Sequence, residues 1–244
     1  DCLLLNVFTP KMRDGGKRPV MFYIHGGAFA NGSGSSPLYD GVRLCNRGNV
    51  VVVSINHRLN AFGYLYLARF GGAEFADSGN VGQLDIILAL QWVKDNIAEF
   101  GGDPNNVMVF GQSGGGAKIA TLMAMPVAKG LFHKAATMSG QQVTACGALN
   151  GTLRAKAILD ALKLNNVQEI RTMPFQKLLE VLNTKDPVLP FGGVNFAPAL
   201  DEKNLLRHPF YPDAPSQSNN IPMIIGNTHD ETRAFLGGDE TNFK

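Results

Sequence analysis

Short runs of wholly apolar residues, set between glycine- and proline-rich stretches, dominate the pattern of this chain. Segments 2–8, 20–24, 50–55, 107–110, 135–139 and 221–225 read as strands. Four of them, 20–24, 50–55, 107–110 and 221–225, show almost no polar alternation, as expected of strands buried on both faces. Between them the period lengthens. Residues 84–100 repeat apolar positions at helical spacing (Leu84, Ile87, Leu88, Ala89, Leu90, Trp92, Val93), and Gly101-Gly-Asp-Pro104 stops them. Residues 116–125 read as a second helix. Strands alternating with helices predict an α/β fold with a mostly parallel central sheet covered on both faces. The texture changes near residue 150, where 153–164, 167–172 and 175–182 read as three helices. The expected organisation is therefore one domain over 1–244. It comprises a sheet core (1–149), a helical and loop insertion (150–215), and a terminal strand and turn (216–244), with a helix expected over 231–236. Stretches 9–19, 30–41 and 56–63 read as loops, with at most a helical turn at 42–46.

Composition sharpens this in a few places. Apolar residues make up 45% of the chain and charged residues 17%, so a sizeable core is available. The net charge of +2, with no Lys/Arg run longer than two, excludes the electrostatic footprint of a nucleic-acid binder. No apolar stretch approaches the ~18 residues of a membrane-spanning helix. Cys2, Cys45 and Cys146 are too few and too scattered for a disulfide framework or a zinc site. Neither compartment nor oligomeric state follows from these features. The opening Asp1, which starts a strand pattern with no Met before it, suggests that the sequence continues upstream.

The chemistry concentrates around Gly111-Gln-Ser-Gly-Gly115. A G-x-S-x-G sequence between a buried strand and a helix is the setting of a nucleophile elbow, in which small neighbours permit a tight turn and the serine sits at a helix N-terminus. Alone the pattern is weak in a chain with 28 Gly. A second glycine-rich turn, His25-Gly-Gly-Ala28, follows the strand at 20–24 and can direct backbone N–H groups at an oxyanion, with Gly114 supplying another donor. In this fold class the acid follows the serine in sequence, and Asp230 and Glu231 both suit that place; Asp230 could equally cap a helix. The five histidines offer no evident base. His25 and His57 precede the serine, His133 and His208 lie in polar turns, and His229 is too close to Glu231.

Several long segments coincide with one family. They include Pro19-Val-Met-Phe-Tyr-Ile-His-Gly-Gly-Ala-Phe29, Gly79-Asn-Val-Gly-Gln-Leu-Asp85, Phe100-Gly-Gly-Asp-Pro-Asn-Asn-Val107, Gly111-Gln-Ser-Gly-Gly115 and Gly130-Leu-Phe-His-Lys-Ala135. The chain resembles the type-B carboxylesterases, the cholinesterase-like branch of the α/β-hydrolase fold that includes para-nitrobenzyl-esterase-like enzymes. The match is close over 1–140, loose over 150–215, and close again at 221–226 and 230–231. By this resemblance Ser113 is the nucleophile, Glu231 the acid, and Gly27, Ala28 and Gly114 form the oxyanion hole. Gln112 and Ser139 stand just behind the reacting groups. The resemblance implies a small-molecule carboxylic ester as substrate and calls for no metal or other cofactor. It also implies a catalytic His beyond Lys244, so the 244 residues alone are expected to be inactive or impaired. Gln112 replaces a Glu, His57 a Tyr and Thr232 a Gly of the family pattern; Cys2 matches a cysteine whose partner lies further upstream. The alternative is a non-catalytic cholinesterase-like adhesion module. Such modules typically lose the nucleophile or its surroundings, whereas serine, glycine-rich loop and acid are all retained here.

Overall fold

A computed structural model describes residues 2–189, 192–231 and 233. Among these residues six strands form one sheet: β1 (Leu5–Phe8), β2 (Arg18–Ile24), β3 (Val51–Ile55), β4 (Gly102–Gln112), β5 (Lys134–Met138) and β6 (Met223–Gly226). Their spatial order is β1-β3-β2-β4-β5-β6. Only β1 runs antiparallel, pairing Leu5 with Ile55, and every other neighbour is parallel. All five residues of β3 are buried, which is why that strand carries no polar alternation.

Among the described residues seven α-helices accompany the sheet: α1 (Val42–Gly48), α2 (Asn60–Tyr64), α3 (Ala68–Gly71), α4 (Val81–Asn96), α5 (Gly114–Ala124), α6 (Ala148–Ala161) and α7 (Phe175–Glu180). The core joins Val20, Phe22 and Ile24 of β2 and Val107 and Val109 of β4 to Ile86, Leu90 and Val93 of α4 and Ile119 and Leu122 of α5. Within α4 the buried stripe falls on Gly82, Gln83, Ile86, Leu90 and Val93. Leu88, expected in the apolar stripe, is 62% exposed instead. A second cluster seats the chain beyond residue 150 on the first half: Ala155, Ile158 and Leu159 of α6, Leu178 of α7 and Phe196 pack with Phe29, Tyr64 and Ala117.

Several elements differ from the sequence expectation. The strand expected at 107–110 extends back to Gly102, because Arg18 of β2 pairs with Gly102 across an irregularity in register. Helix α4 starts and ends earlier than 84–100, and Ile97–Phe100 closes it as a 3₁₀ turn. Helix α5 begins directly after Ser113 rather than at 116. The segment 167–172 is a 3₁₀ turn, Val167–Arg171, held by an Asn166–Glu169 capping box. Helix α2 occupies part of the expected 56–63 loop. The helix expected over 231–236 lies outside the described residues apart from Glu231 and Arg233, as does Thr232. Cys2, Cys45 and Cys146 are free thiols. No helix among the described residues is long and apolar enough to cross a membrane.

Candidate active site

Three parallel strand ends converge at the C-terminal edge of the sheet: Ser113 after β4, Ser139 after β5 and Asn227 after β6. The ladder continues past the strands, with Ser113 N–H donating to the Met138 carbonyl at 2.8 Å and Ser139 N–H to the Gly226 carbonyl at 2.7 Å. Ser113 has φ 54° and ψ −124°, a backbone conformation that L-residues rarely adopt. Neighbouring close contacts make the turn possible only with glycines. A Cβ on Gly115 would run into the Ile24 carbonyl, one on Gly114 into the Ala28 backbone, and one on Gly111 would lie 2.6 Å from the Ile24 carbonyl. The glycines therefore serve two purposes: they form the elbow, and they let it sit against the loop that follows β2.

That loop is held by its carbonyl groups. The His25 carbonyl accepts from Lys118 Nζ (3.1 Å) and the Gly26 carbonyl bonds His25 Nδ1 (2.8 Å). The Gly27 carbonyl accepts from Ala30 and Asn31, and the Phe29 carbonyl from Asn60 at 2.7 Å. Gly27 and Ala28 both have positive φ, 88° and 50°, which costs Ala28 on the order of 1–2 kcal/mol. Strain of this kind persists where surrounding structure over-determines it. With its carbonyls turned back, the loop leaves the N–H groups of Gly27 and Ala28 without an acceptor among the described residues. The first N–H of α5, that of Gly114, has no intrahelical carbonyl to bond.

A cavity of about 510 Å³ opens here, lined by Ala28, Ser113, Gly114, Ser139 and Glu231, with Phe29 and Ala117 as its apolar wall. Gln141, Gln142, Asn195 and Asn227 add polar groups that the sequence pattern gave no reason to select. Glu231 reaches back to its own turn, its Oε1 accepting from Thr228 N–H at 2.7 Å. The Ser139 hydroxyl and the Thr228 N–H hold its carboxyl below the usual glutamate value. Asp230, the other candidate acid, is exposed and lies beside His229 and Arg233. Gln112 is exposed at the tip of β4, where its carbonyl packs against Gly26. Of the expected site residues, Ala28, Ser113, Gly114, Ser139 and Glu231 line this one cavity, whereas Gly27 and Gln112 are not among its lining residues.

The histidines do not join them. His25 and His57 are buried and stacked at 4.6 Å. Burial pushes His25 down to about 4, and burial with the nearby Lys118 pushes His57 to about 2, so both rings are neutral across the ordinary pH range. His133 accepts from Val107 N–H and His208 from Ala145 N–H through Nδ1, and His229 is 97% exposed at its side chain. Among the described residues no histidine lines the cavity.

Residues 1–243 match the carboxylesterase family model. The chain belongs to the carboxylesterase family. It is 43% identical to the para-nitrobenzyl esterase of Bacillus subtilis (98% of this chain, 49% of the relative). It is 38% identical to the phenmedipham hydrolase of Pseudarthrobacter oxydans (95% and 45%) and 37% identical to the liver carboxylesterase of Sus scrofa (93% and 41%). A solved structure of PNB esterase superposes with a TM-score of 0.87 at 43% identity, covering 97% of this chain and 50% of that one. The Geobacillus stearothermophilus carboxylesterase EST55 gives the same TM-score at 39% identity (99% and 50%). These neighbours establish the α/β-hydrolase fold. The chain spans about half the length of the carboxylesterases it matches.

A further residue that the sequence pattern did not select bonds the loop after β2. Lys118 has no exposed surface, and every residue of α5 is buried. The available signal was the helix itself: Gly114–Ala124 has no polar face, so a lysine within it has nowhere exposed to go.

Proposed function

We propose that the protein hydrolyses carboxylic esters through an acyl-enzyme on Ser113. The observation that carries this is the strained serine at the β4–α5 turn, facing one cavity with Ala28, Gly114 and Glu231. Ser113 Oγ attacks the acyl carbonyl while a histidine takes its proton. That histidine comes from the remainder of the protein, since His25, His57, His133, His208 and His229 are engaged or placed elsewhere. Glu231 orients the imidazole and stabilises the imidazolium. The N–H groups of Gly27, Ala28 and Gly114 receive the developing oxyanion, each worth roughly 3–4 kcal/mol of barrier where such a donor has been removed. The imidazolium then protonates the departing alcohol, and water releases the acid by the same steps in reverse. Ser139 steadies Glu231, and Gln112 packs behind the oxyanion loop.

The test is made on the full-length protein. An organophosphate is expected to attach covalently to Ser113 and abolish ester turnover, and Ser113→Ala is expected to lose both labelling and turnover. Undiminished hydrolysis by Ser113→Ala would overturn the assignment.

A further inference from the structure

We propose that Lys118 is a positioning residue of the ester-hydrolysis site, its buried ammonium backing the oxyanion loop from beneath and placing a positive charge behind the Gly27 and Ala28 N–H groups. The inference rests on the proposed roles of Ser113 and that loop.

Two contacts define the position. Lys118 Nζ donates to the His25 carbonyl at 3.1 Å, at the entry to the loop, and lies 5.7 Å from the centre of the Phe29 ring, at its exit. One ammonium therefore bonds the carbonyl that leads into the Gly26–Ala28 turn and lies within cation–π range of the side chain that follows it. It fixes the peptide plane that leads into the turn, and His25 Nδ1 then fixes the next carbonyl, that of Gly26, whose peptide carries the Gly27 N–H. A cation close to a site of developing negative charge, in surroundings from which water is excluded, favours the transition state over the neutral ester.

The ammonium is also costly. It has no exposed surface, and among the described residues no carboxylate pairs with it. The ionisable groups that face it are His25, beyond β2, and His57, beyond β3. On the other elements packed against α5, Asp85 of α4 is taken by Arg58, Arg18 of β2 by Asp14, and Lys134 of β5 bonds Asn106. Burial pushes the Lys118 amine from its ordinary 10.5 down to about 7. The unfolded chain therefore binds more protons than the folded one between those values, and this group makes stability rise with pH across that window. A buried cation without a counter-charge weakens the fold at neutral pH, and its contact with the oxyanion loop gives it a use.

The experiment compares wild-type full-length protein with Lys118→Met and Lys118→Arg, measuring kcat and KM for a p-nitrophenyl ester from about pH 6 to 9 and Tm alongside. In the wild type, kcat is expected to fall above about pH 7 as the ammonium loses its proton. Lys118→Met, apolar and of similar length, is expected to raise Tm at neutral pH. It should lower kcat about 10-fold at the acid side of the optimum with KM nearly unchanged, and abolish the alkaline fall. Lys118→Arg keeps the charge throughout and is expected to hold kcat high to about pH 9. A merely structural lysine would move Tm and leave the pH profile alone. A wild type without the alkaline fall, or variants that keep wild-type kcat and profile, would overturn the proposal while Ser113-dependent turnover stands. Loss of Ser113 dependence would instead overturn the reading beneath it.

Discussion

Gly115 shows how much of this site is decided by single atoms. Its Cα faces the end of β2 so closely that a methyl group would overlap the Ile24 carbonyl and crowd the His25 backbone at 3.2 Å. Both obstacles are main chain, so neither can swing aside as a side chain would. The elbow and the oxyanion loop would have to separate, and misplacement near 1 Å costs on the order of 10²-fold in rate. Gly115→Ala is therefore expected to cut kcat by about that factor while leaving the protein folded, at a cost of roughly 1–3 kcal/mol for overpacking. Gly48 is the control. A Cβ there meets only Val50 at ordinary contact distance, and the residue closes helix α1, so Gly48→Ala is expected to leave kcat unchanged and to stabilise by about 0.5–1 kcal/mol. Steady-state kinetics with chemical denaturation of both variants checks the pair; equal effects would show that packing at Gly115 does not set the site.

At the scale of elements, one buried carboxylate gathers the loop that follows α7 onto α6. Asp186 is 2% exposed and receives Arg154 Nε at 2.8 Å and the N–H groups of Val188, Leu189 and Asn195. Burial alone would raise its pKa, but the Asn195 and Leu189 N–H groups, with Arg154 and Val188, bring it down to about 2. Its folded value lies below the ordinary value of 3.8. The stability it contributes is therefore present above that ordinary value and lost as pH falls through about 2. Asp186→Ala leaves Arg154 buried without its partner and is expected to cost about 3–5 kcal/mol. It should also raise KM, because Asn195 lines the cavity. Denaturant titrations across acid pH would check the first claim: the wild type should lose stability more steeply than the variant below about pH 4.

The same scale explains what the sequence could and could not reveal. The buried strands and the elbow were legible because a strand covered on both faces must be apolar throughout, and a turn this tight must use glycine. Helix α2 was not, since five residues are too few to display a helical period, and α1 showed only as a helical turn at 42–46. The face of α4 was misjudged at Leu88 because Gly82 and Gln83, neither of them apolar markers, take part in the buried stripe. Nothing local in the chain announces the pairing of Arg154 with Asp186 across 32 residues. Lys118 was missed because lysine in a helix is ordinarily read as solvent-facing.

Considered whole, the molecule places its candidate reactive groups along one end of the sheet. Ser113, Ser139 and Glu231 stand at the ends of β4, β5 and beyond β6, and β6 is the last strand in the order of the described sheet. There Ile224 is 69% and Ile225 55% exposed. An apolar strand with no further neighbour among the described residues invites association when residues 1–244 stand alone. The chain spans about half the length of its carboxylesterase relatives. If the proposed base comes from the other part of the protein, residues 1–244 expressed alone should bring the serine, the oxyanion donors and the acid to the cavity but lack the group that removes the proton. Their p-nitrophenyl ester turnover is expected to fall about 10⁴-fold or more below that of the full-length protein, the order of loss when such a base is removed. Self-association at β6 could mimic that loss. The comparison therefore includes Ile224→Lys, which places a charge on the edge and should keep the shorter chain dispersed. Turnover by the dispersed 1–244 chain equal to that of the full protein would mean that a group within these residues serves as the base. It would also reopen the assignment of every histidine described above.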